Sequence, residues 1–242
     1  MNPLELAAAN NRWAYASVGE KALAILGLLI LAISVPVWPV LPVVAAAILA
    51  LAIAARVPAK LYAALILAPA SFIALGLAPL IVALTPHGFV RIDGGVHDAL
   101  IVLARCTVGM SATMLFALTT PMAQLLVWLR KLGYPEELAH VTMLMYRMVG
   151  TLIDTARTMW LAQAQRLGHT SMRRWITSVA SQAASLFVIS LTRAKTLQEG
   201  LELRAPMGSS ATLDPYTPAR PKVLILTAAA LIALAAAGIV WR

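Results

Sequence analysis

Leu61–Leu84 reads LYAALILAPASFIALGLAPLIVAL, 24 consecutive residues without one charged side chain. A helix needs about 20 apolar residues to cross the hydrocarbon core of a bilayer, so this stretch predicts a membrane span. Four more apolar runs flank it: Ala22–Val35, Val40–Ala55, Ala99–Leu118 and Val223–Val240. The first two are short, and only Pro36–Pro39 separates them, which predicts two spans sharing one turn. The expected fold is all-α, a polytopic helical membrane protein with about five transmembrane helices. Composition agrees. Of 242 residues, 61% are hydrophobic and 12% charged, against about 25% charged in a soluble domain. So few charges cannot cover a water-facing surface, and lipid is the solvent that suits the excess apolar residues.

The formal net charge is +9. Basic residues are not interleaved with aromatic ones, so the chain does not read as a nucleic-acid binder; they gather instead in segments between spans, as in cytoplasmic parts of membrane proteins. Pro121–Pro221 holds eleven of the nineteen Lys and Arg residues and six acidic ones. Placing it in the cytoplasm puts Arg12, Lys21, Arg56 and Lys60 on the same side and the Thr85–His97 loop, with Arg91 alone, outside. Three parts follow: residues 1–120, an N-terminal membrane domain with four spans; 121–221, a cytoplasmic domain of long helices; and 222–242, a C-terminal transmembrane helix. The first 21 residues include Glu5, Arg12, Glu20 and Lys21 without a central apolar block, so no cleavable signal is expected. Cys106 is the single cysteine; it excludes an intramolecular disulfide and reads as a small packing residue in its span.

The cytoplasmic segment reads as helices. Pro121 suits a first helical turn, and Met122–Leu132 is ended by Gly133. A long helix runs from Pro135 to about Arg166 before Gly168. Thr170 or Ser171 caps the next, which runs to about Arg204 before Pro206. Met207–Pro221, rich in Gly, Ser, Thr and Pro, reads as a linker. Met143, Leu144, Met145, Met148, Val149, Leu152 and Ile153 give the first long helix a broad apolar surface that needs cover. In the second, Ala180, Ser181, Ala183, Ala184 and Ser185 let another backbone approach closely.

Catalytic signatures are missing. No G-x-x-x-x-G-K-[ST] loop is present to cradle phosphates, so any ATP is expected on another chain and the chain is expected not to be an enzyme. No bound metal is expected either. The one local group of metal-ligating types is His87, Asp93, His97 and Asp98 in the outer loop, which reads first as a polar connection and second as a contact for an incoming divalent cation. Arg105 lies inside a span, where charge is a functional hint; snorkelling, or a bond to backbone carbonyls, is the simpler reading. A transporter subunit that binds its own substrate would need convergent polar groups in the spans, and a membrane-embedded enzyme a nucleophile–base or metal constellation. An anchor for another complex is not excluded by composition.

Two arginines stand at helix ends. Arg166 lies in Gln165-Arg166-Leu167 before Gly168, and Arg204 in Leu203-Arg204-Ala205 before Pro206. Either one complements the negative end of a helix dipole, worth about 0.3–1 kcal/mol. As a pair on a basic helical domain they offer planar guanidinium forks to carboxylates of a partner. Arg173 and Arg174 fall on the same segment, away from both ends.

At this point the sequence resembles the transmembrane (T) component of energy-coupling factor transporters, of the cobalt-type CbiQ family. Asn11-Arg12-Trp13 with Glu20-Lys21 resembles the family's opening, Thr119-Thr120-Pro121 its entry into the cytoplasmic helices, and Tyr146-Arg147 its aromatic–Arg pair. Arg166 and Arg204 match the arginines of its two Ala-Arg-Gly-like coupling motifs, with Gln165 and Leu167 around the first and Leu203 and Ala205 around the second. The resemblance implies a non-catalytic subunit of an ATP-driven importer for Co2+, or for Ni2+, in the bacterial inner (cell) membrane. It implies two ATP-binding cassette subunits like CbiO on the coupling helices, and substrate-specific membrane subunits like CbiM and CbiN beside the spans.

Overall fold

A computed structural model describes residues 7–8, 11–13, 16–34, 40–85, 88–91, 94–203 and 220–240. The chain is a polytopic helical membrane protein. Four described helices are long and apolar enough to cross a membrane, Ala59–Gly76, Gly95–Thr119, Met172–Glu202 and Pro221–Gly238, and Val40–Ala54 is a shorter apolar helix. The chain forms two compact units, one of Asn2–Trp128 with Tyr216–Arg242 and the other of Leu129–Pro215. The turn expected over Pro36–Pro39 and most of the expected linker lie outside the described residues.

The first unit contains α1 (Val18–Ser34), α2 (Val40–Ala54), α3 (Ala59–Gly76), α4 (Ala78–Ile81), the strands β1 (Val82–Thr85) and β2 (Gly88–Arg91), α5 (Gly95–Thr119) and α9 (Pro221–Val240). Helix α5 is its centre: α1, α2 and α3 pack against it, and α9 packs on α1. Ile25, Leu28 and Ala32 of α1 meet Leu41, Val44, Ile48 and Ala52 of α2 and Ala112 and Leu115 of α5 in one buried cluster. These are spacings of three and four, so a single face of each helix turns inward. Gly27 marks a close crossing, since a Cβ there would sit 2.3 Å from the Leu231 side chain of α9. Helix α3 has no buried residue. Phe72 is 78% and Leu75 76% exposed, a surface suited to lipid.

The uncharged run that predicts a span does not form one helix. Helix α3 ends at Gly76, with Leu77 as its C-cap. Pro79 lacks the N–H that would continue the helical ladder, so only the short α4 follows. The chain then enters an antiparallel hairpin in the register Val82↔Arg91 to Thr85↔Gly88, a small addition to the expected all-helical fold. Cys106 also departs from expectation, lying exposed on α5 rather than in the core.

Adjacent charges tie two helix ends together. A helix leaves its last four carbonyls without intrahelical donors. At the end of α5, Lys21 Nζ donates to the Thr119 carbonyl at 3.0 Å and Asn11 Nδ2 to the Leu118 carbonyl at 3.3 Å. Next to Lys21, a Glu20 carboxylate oxygen accepts the Arg220 backbone N–H at the start of α9. A cation thus meets the negative end of one helix and an anion the positive end of another. Lys21 is only 3% exposed. Lys21→Met, which keeps the apolar stem but leaves the Thr119 carbonyl without this donor, should cost about 1–3 kcal/mol. Thermal unfolding of the detergent-purified chain measures it, and an unchanged midpoint would remove this role from Lys21.

The second unit is built on α7 (Glu136–Gln165) and α8 (Met172–Glu202); its boundary with the first falls within α6 (Met122–Lys131). Helices of 30 and 31 residues extend about 45 Å each at 1.5 Å per residue. They are held together by spaced polar links. Gln182 Nε2 donates to the Ala156 carbonyl at 2.8 Å, and the Arg193 guanidinium donates to the hydroxyls of Thr151 at 3.2 Å and Thr155 at 3.3 Å. No described residue of α7 except Ala139 is buried. Met145, Val149, Ile153 and Leu161 stand exposed along it, and an apolar groove of about 860 Å³ lies between Val141–Leu152 and Ser190–Glu202.

Candidate functional site

The first helix-end arginine sits on a turn whose geometry explains its position. Arg166 is the C-cap of α7, its N–H on the Ala162 carbonyl at 3.2 Å. The chain then turns left-handed at Leu167, with φ 57°. The Leu167 N–H reaches back to the Ala164 carbonyl at 3.0 Å and the Gly168 N–H to the Gln163 carbonyl at 2.9 Å. This is a Schellman motif, which satisfies carbonyls that a helix end leaves orphaned. The turn after α6 is of the same kind and uses glycine at its left-handed position, Gly133 with φ 98°. Leucine in that conformation costs about 1–2 kcal/mol, and here its side chain is 62% exposed.

Gly168, the helix breaker in the sequence, serves a different purpose from the one its type suggests. It is not the left-handed residue. A Cβ on it would lie 2.6 Å from Ser178 Oγ and 3.0 Å from the Gln163 carbonyl. Its missing side chain lets Ser178 Oγ donate to the Gly168 carbonyl at 3.1 Å, which pins α8 to the end of α7. The His169 ring stacks on Trp160, with centroids 4.2 Å apart. Helix α8 then starts at once, capped by Ser171, whose side chain accepts the Arg174 N–H at 3.4 Å. Arg174 Nη1 also donates to the Thr170 hydroxyl at 3.2 Å. Arg166 is therefore exposed on a turn fixed from both sides.

The short turn overturns one expectation. Arg173 and Arg174 are not remote from the helix end: residues 167–171 fold them back, and together with Arg166 they line a cavity of about 530 Å³ whose walls include Gln163, Thr177 and Ser178. The breaker Gly168 and the cap Ser171, three positions apart, were the signal that could have found this, since two helices joined so closely must bring their ends together. Gln165 is the last residue of α7 and is exposed.

At the other end, Leu203 caps α8 with its N–H on the Glu199 carbonyl at 3.2 Å and is 88% exposed. Arg204 and Ala205 lie outside the described residues. So do His87 and Asp93 of the outer loop, while His97 and Asp98 stand exposed in the first turn of α5. Among the described residues no three His, Cys, Asp or Glu side chains gather as metal ligands would. Arg105, the intramembrane charge, donates from Nη1 to the Ile33 carbonyl at 2.7 Å and so serves the end of α1.

Comparison with known proteins points one way. The profile of the family CbiQ, described as cobalt transport protein, matches residues 10–212. A cobalt transport protein CbiQ of Rhodobacter capsulatus is 36% identical over 98% of this chain and 97% of its own length. A protein of Methanocorpusculum labreanum, described as a fused cobalt transport protein CbiMQ, is 29% identical over 79% of this chain, which spans 34% of that longer protein.

Proposed function

This chain belongs to the CbiQ family of cobalt transport proteins, and from that premise we propose that it is the transmembrane scaffold of an ATP-driven energy-coupling factor importer for Co2+. It is a multi-pass membrane component of cobalt transport, in a bacterium one of the inner membrane. In this reading it catalyses no reaction. Two ATP-binding cassette subunits, CbiO-like, hydrolyse ATP, and a CbiM-like membrane chain receives the ion. The fused CbiMQ relative supports the second association, because its name joins the two parts in one protein.

The observation that carries the proposal is Arg166, exposed at the tip of a 30-residue helix on a turn closed by a Schellman motif and by the Ser178–Gly168 bond. A charge held on a rigid tip can enter a groove on a partner and pass rigid-body motion along its helix. Arg204, which follows α8 in sequence by two positions, is the second arginine of this reading. Residues 121–221 form the cytoplasmic coupling domain of this scaffold. Its eleven basic and six acidic residues support that side. The bonds of Asn11, Glu20 and Lys21 support it too, since they gather the start of α1, the end of α5 and the start of α9 at one end of the membrane unit. Length and composition allow α8 to cross a bilayer, but it carries Arg173, Arg174, Arg193, Lys195, Glu199 and Glu202. These charges flank an uncharged stretch, Trp175–Thr192, and it is the polar links of the helix to α7, from Gln182 to the Ala156 carbonyl and from Arg193 to Thr151 and Thr155, that support a coupling role over a span.

Oriented vesicles test the function and the sidedness together. Inside-out vesicles holding this chain should capture the purified ATPase subunit of the same system, and right-side-out vesicles should not. Capture by neither would refute the scaffold, and equal capture by both the topology.

A further inference from the structure

We infer that Arg166, Arg173 and Arg174 form a single three-guanidinium notch that receives an acidic surface, at least two carboxylates, of the ATP-binding partner. The inference rests on the docking proposed above and extends it to two residues that no motif marks. The three arginines line one cavity of about 530 Å³ with the hydroxyl residues Thr177 and Ser178, and no Asp or Glu shares its wall. Neither Arg166 nor Arg173 makes an ion pair among the described residues. Arg174 gives one N–H to Thr170, and a guanidinium carries five.

Like charges normally spread apart on flexible stems. Here the backbone beneath them is fixed by the Schellman turn, the Ser171 cap and the Ser178–Gly168 bond, so all three stems start from the wall of one cavity and an anion there can gather them. Carboxylates suit this arrangement, since each can take two parallel N–H bonds from one planar fork. The far end of α8 differs in kind. Glu199 and Glu202 stand in its last turns, with Gln198 Nε2 donating to Glu202 at 3.0 Å. In sequence that end also holds Arg204, so the α7–α8 turn, with three arginines, is the more basic of the two ends, and the strongly acidic groove is the one that meets it. A lipid phosphate could also bind three arginines, but a tip seated in a protein groove is not free to lie among headgroups.

The test uses the full complex, with this chain immobilised and retention of the ATPase followed as salt is raised. Arg173→Ala/Arg174→Ala should weaken retention at least tenfold and flatten its salt dependence. Arg173→Lys/Arg174→Lys should restore part of it. Arg147→Ala/Arg157→Ala, which removes two charges from α7 away from the notch, should behave as wild type. The thermal midpoint of the notch variant should not move, so lost retention reports docking rather than unfolding. If Arg166→Ala releases the ATPase while the Arg173/Arg174 variant retains it, the notch is wrong and the docking reading stands. If neither variant releases it, the docking reading falls and the notch with it. Equal loss in the Arg147/Arg157 variant overturns the notch in favour of net charge. A defect seen in nanodiscs of phosphatidylglycerol but not in phosphatidylcholine overturns it in favour of a headgroup.

Discussion

Arg166→Ala/Arg204→Ala is expected to abolish cobalt uptake while leaving the chain folded in the membrane. A hydrogen bond to a charged group contributes about 1.5–3 kcal/mol, and stripping one partner from a buried ion pair costs about 3–5 kcal/mol because the other charge stays buried alone. Each single change should therefore weaken docking at least tenfold, as about 1.4 kcal/mol does. The double change should weaken it about a hundredfold or more if the two ends act independently. Arg166 is exposed and its side chain makes no ion pair among the described residues, so alanine there should leave the isolated chain's thermal midpoint in place. Lysine should restore only part of the docking, since an ammonium lacks the planar fork. ATPase copurification and uptake of radioactive cobalt are the readouts. Wild-type values for both in the double variant would make these arginines ordinary helix-end cations.

The second large effect concerns a residue with no charge. Gly168→Ala should disorganise the first tip, because its Cβ would meet Ser178 Oγ at 2.6 Å and the Gln163 carbonyl at 3.0 Å. The carbonyl belongs to the helix backbone and cannot swing aside. Either the Ser178–Gly168 bond breaks or the turn moves, and overpacking of this kind costs about 1–3 kcal/mol. Adding Ser178→Ala removes the closer of the two clashes, so Gly168→Ala/Ser178→Ala should recover part of the stability and part of the ATPase retention. Gly133→Ala makes a useful contrast. Nothing lies within 4 Å of its missing Cβ, and its penalty comes only from the left-handed φ of 98°. A partner change on α8 should then give no rescue. If Gly168→Ala behaves as wild type, the close approach of Ser178 is not what fixes the tip.

The membrane character was legible because long apolar runs leave few alternatives to lipid, although Ala22–Val35 and Val40–Ala55 are short and Ala99–Leu118 holds Arg105. What they left open was internal. Leu61–Leu84 shows no periodicity to say where its helix stops, and its last residues, Val82–Leu84, are apolar whether they pair as a strand or wind as a helix. The hairpin therefore could not be read, although Gly76 and Pro79 already signalled a break. Glu20 and Lys21 were visible as charges before the first span, but that each serves a different helix end depends on α5 and α9, about 100 and 200 residues further on. At the candidate site, Arg166 is legible because a helix end followed by glycine is a local signal. Arg173 and Arg174 look remote in sequence because the turn of residues 167–171 that folds them back beside Arg166 carries no charge of its own to mark it. Leu167 shows the limit from the other direction, since a leucine gives no hint of a left-handed turn and Gly168 beside it gives a misleading one.

The central claim is that this chain joins ATP hydrolysis on other subunits to the entry of Co2+. The most direct measurement is ATP-dependent cobalt accumulation in proteoliposomes holding the full complex, with hydrolysis and accumulation recorded on the same sample. Wild-type chain should give both, and accumulation should cease when ATP is replaced by a non-hydrolysable analogue. The Arg166→Ala/Arg204→Ala chain should give hydrolysis at most, without accumulation. Cobalt accumulation by vesicles containing this chain but no ATPase, or ATP hydrolysis by this chain alone, would contradict the account.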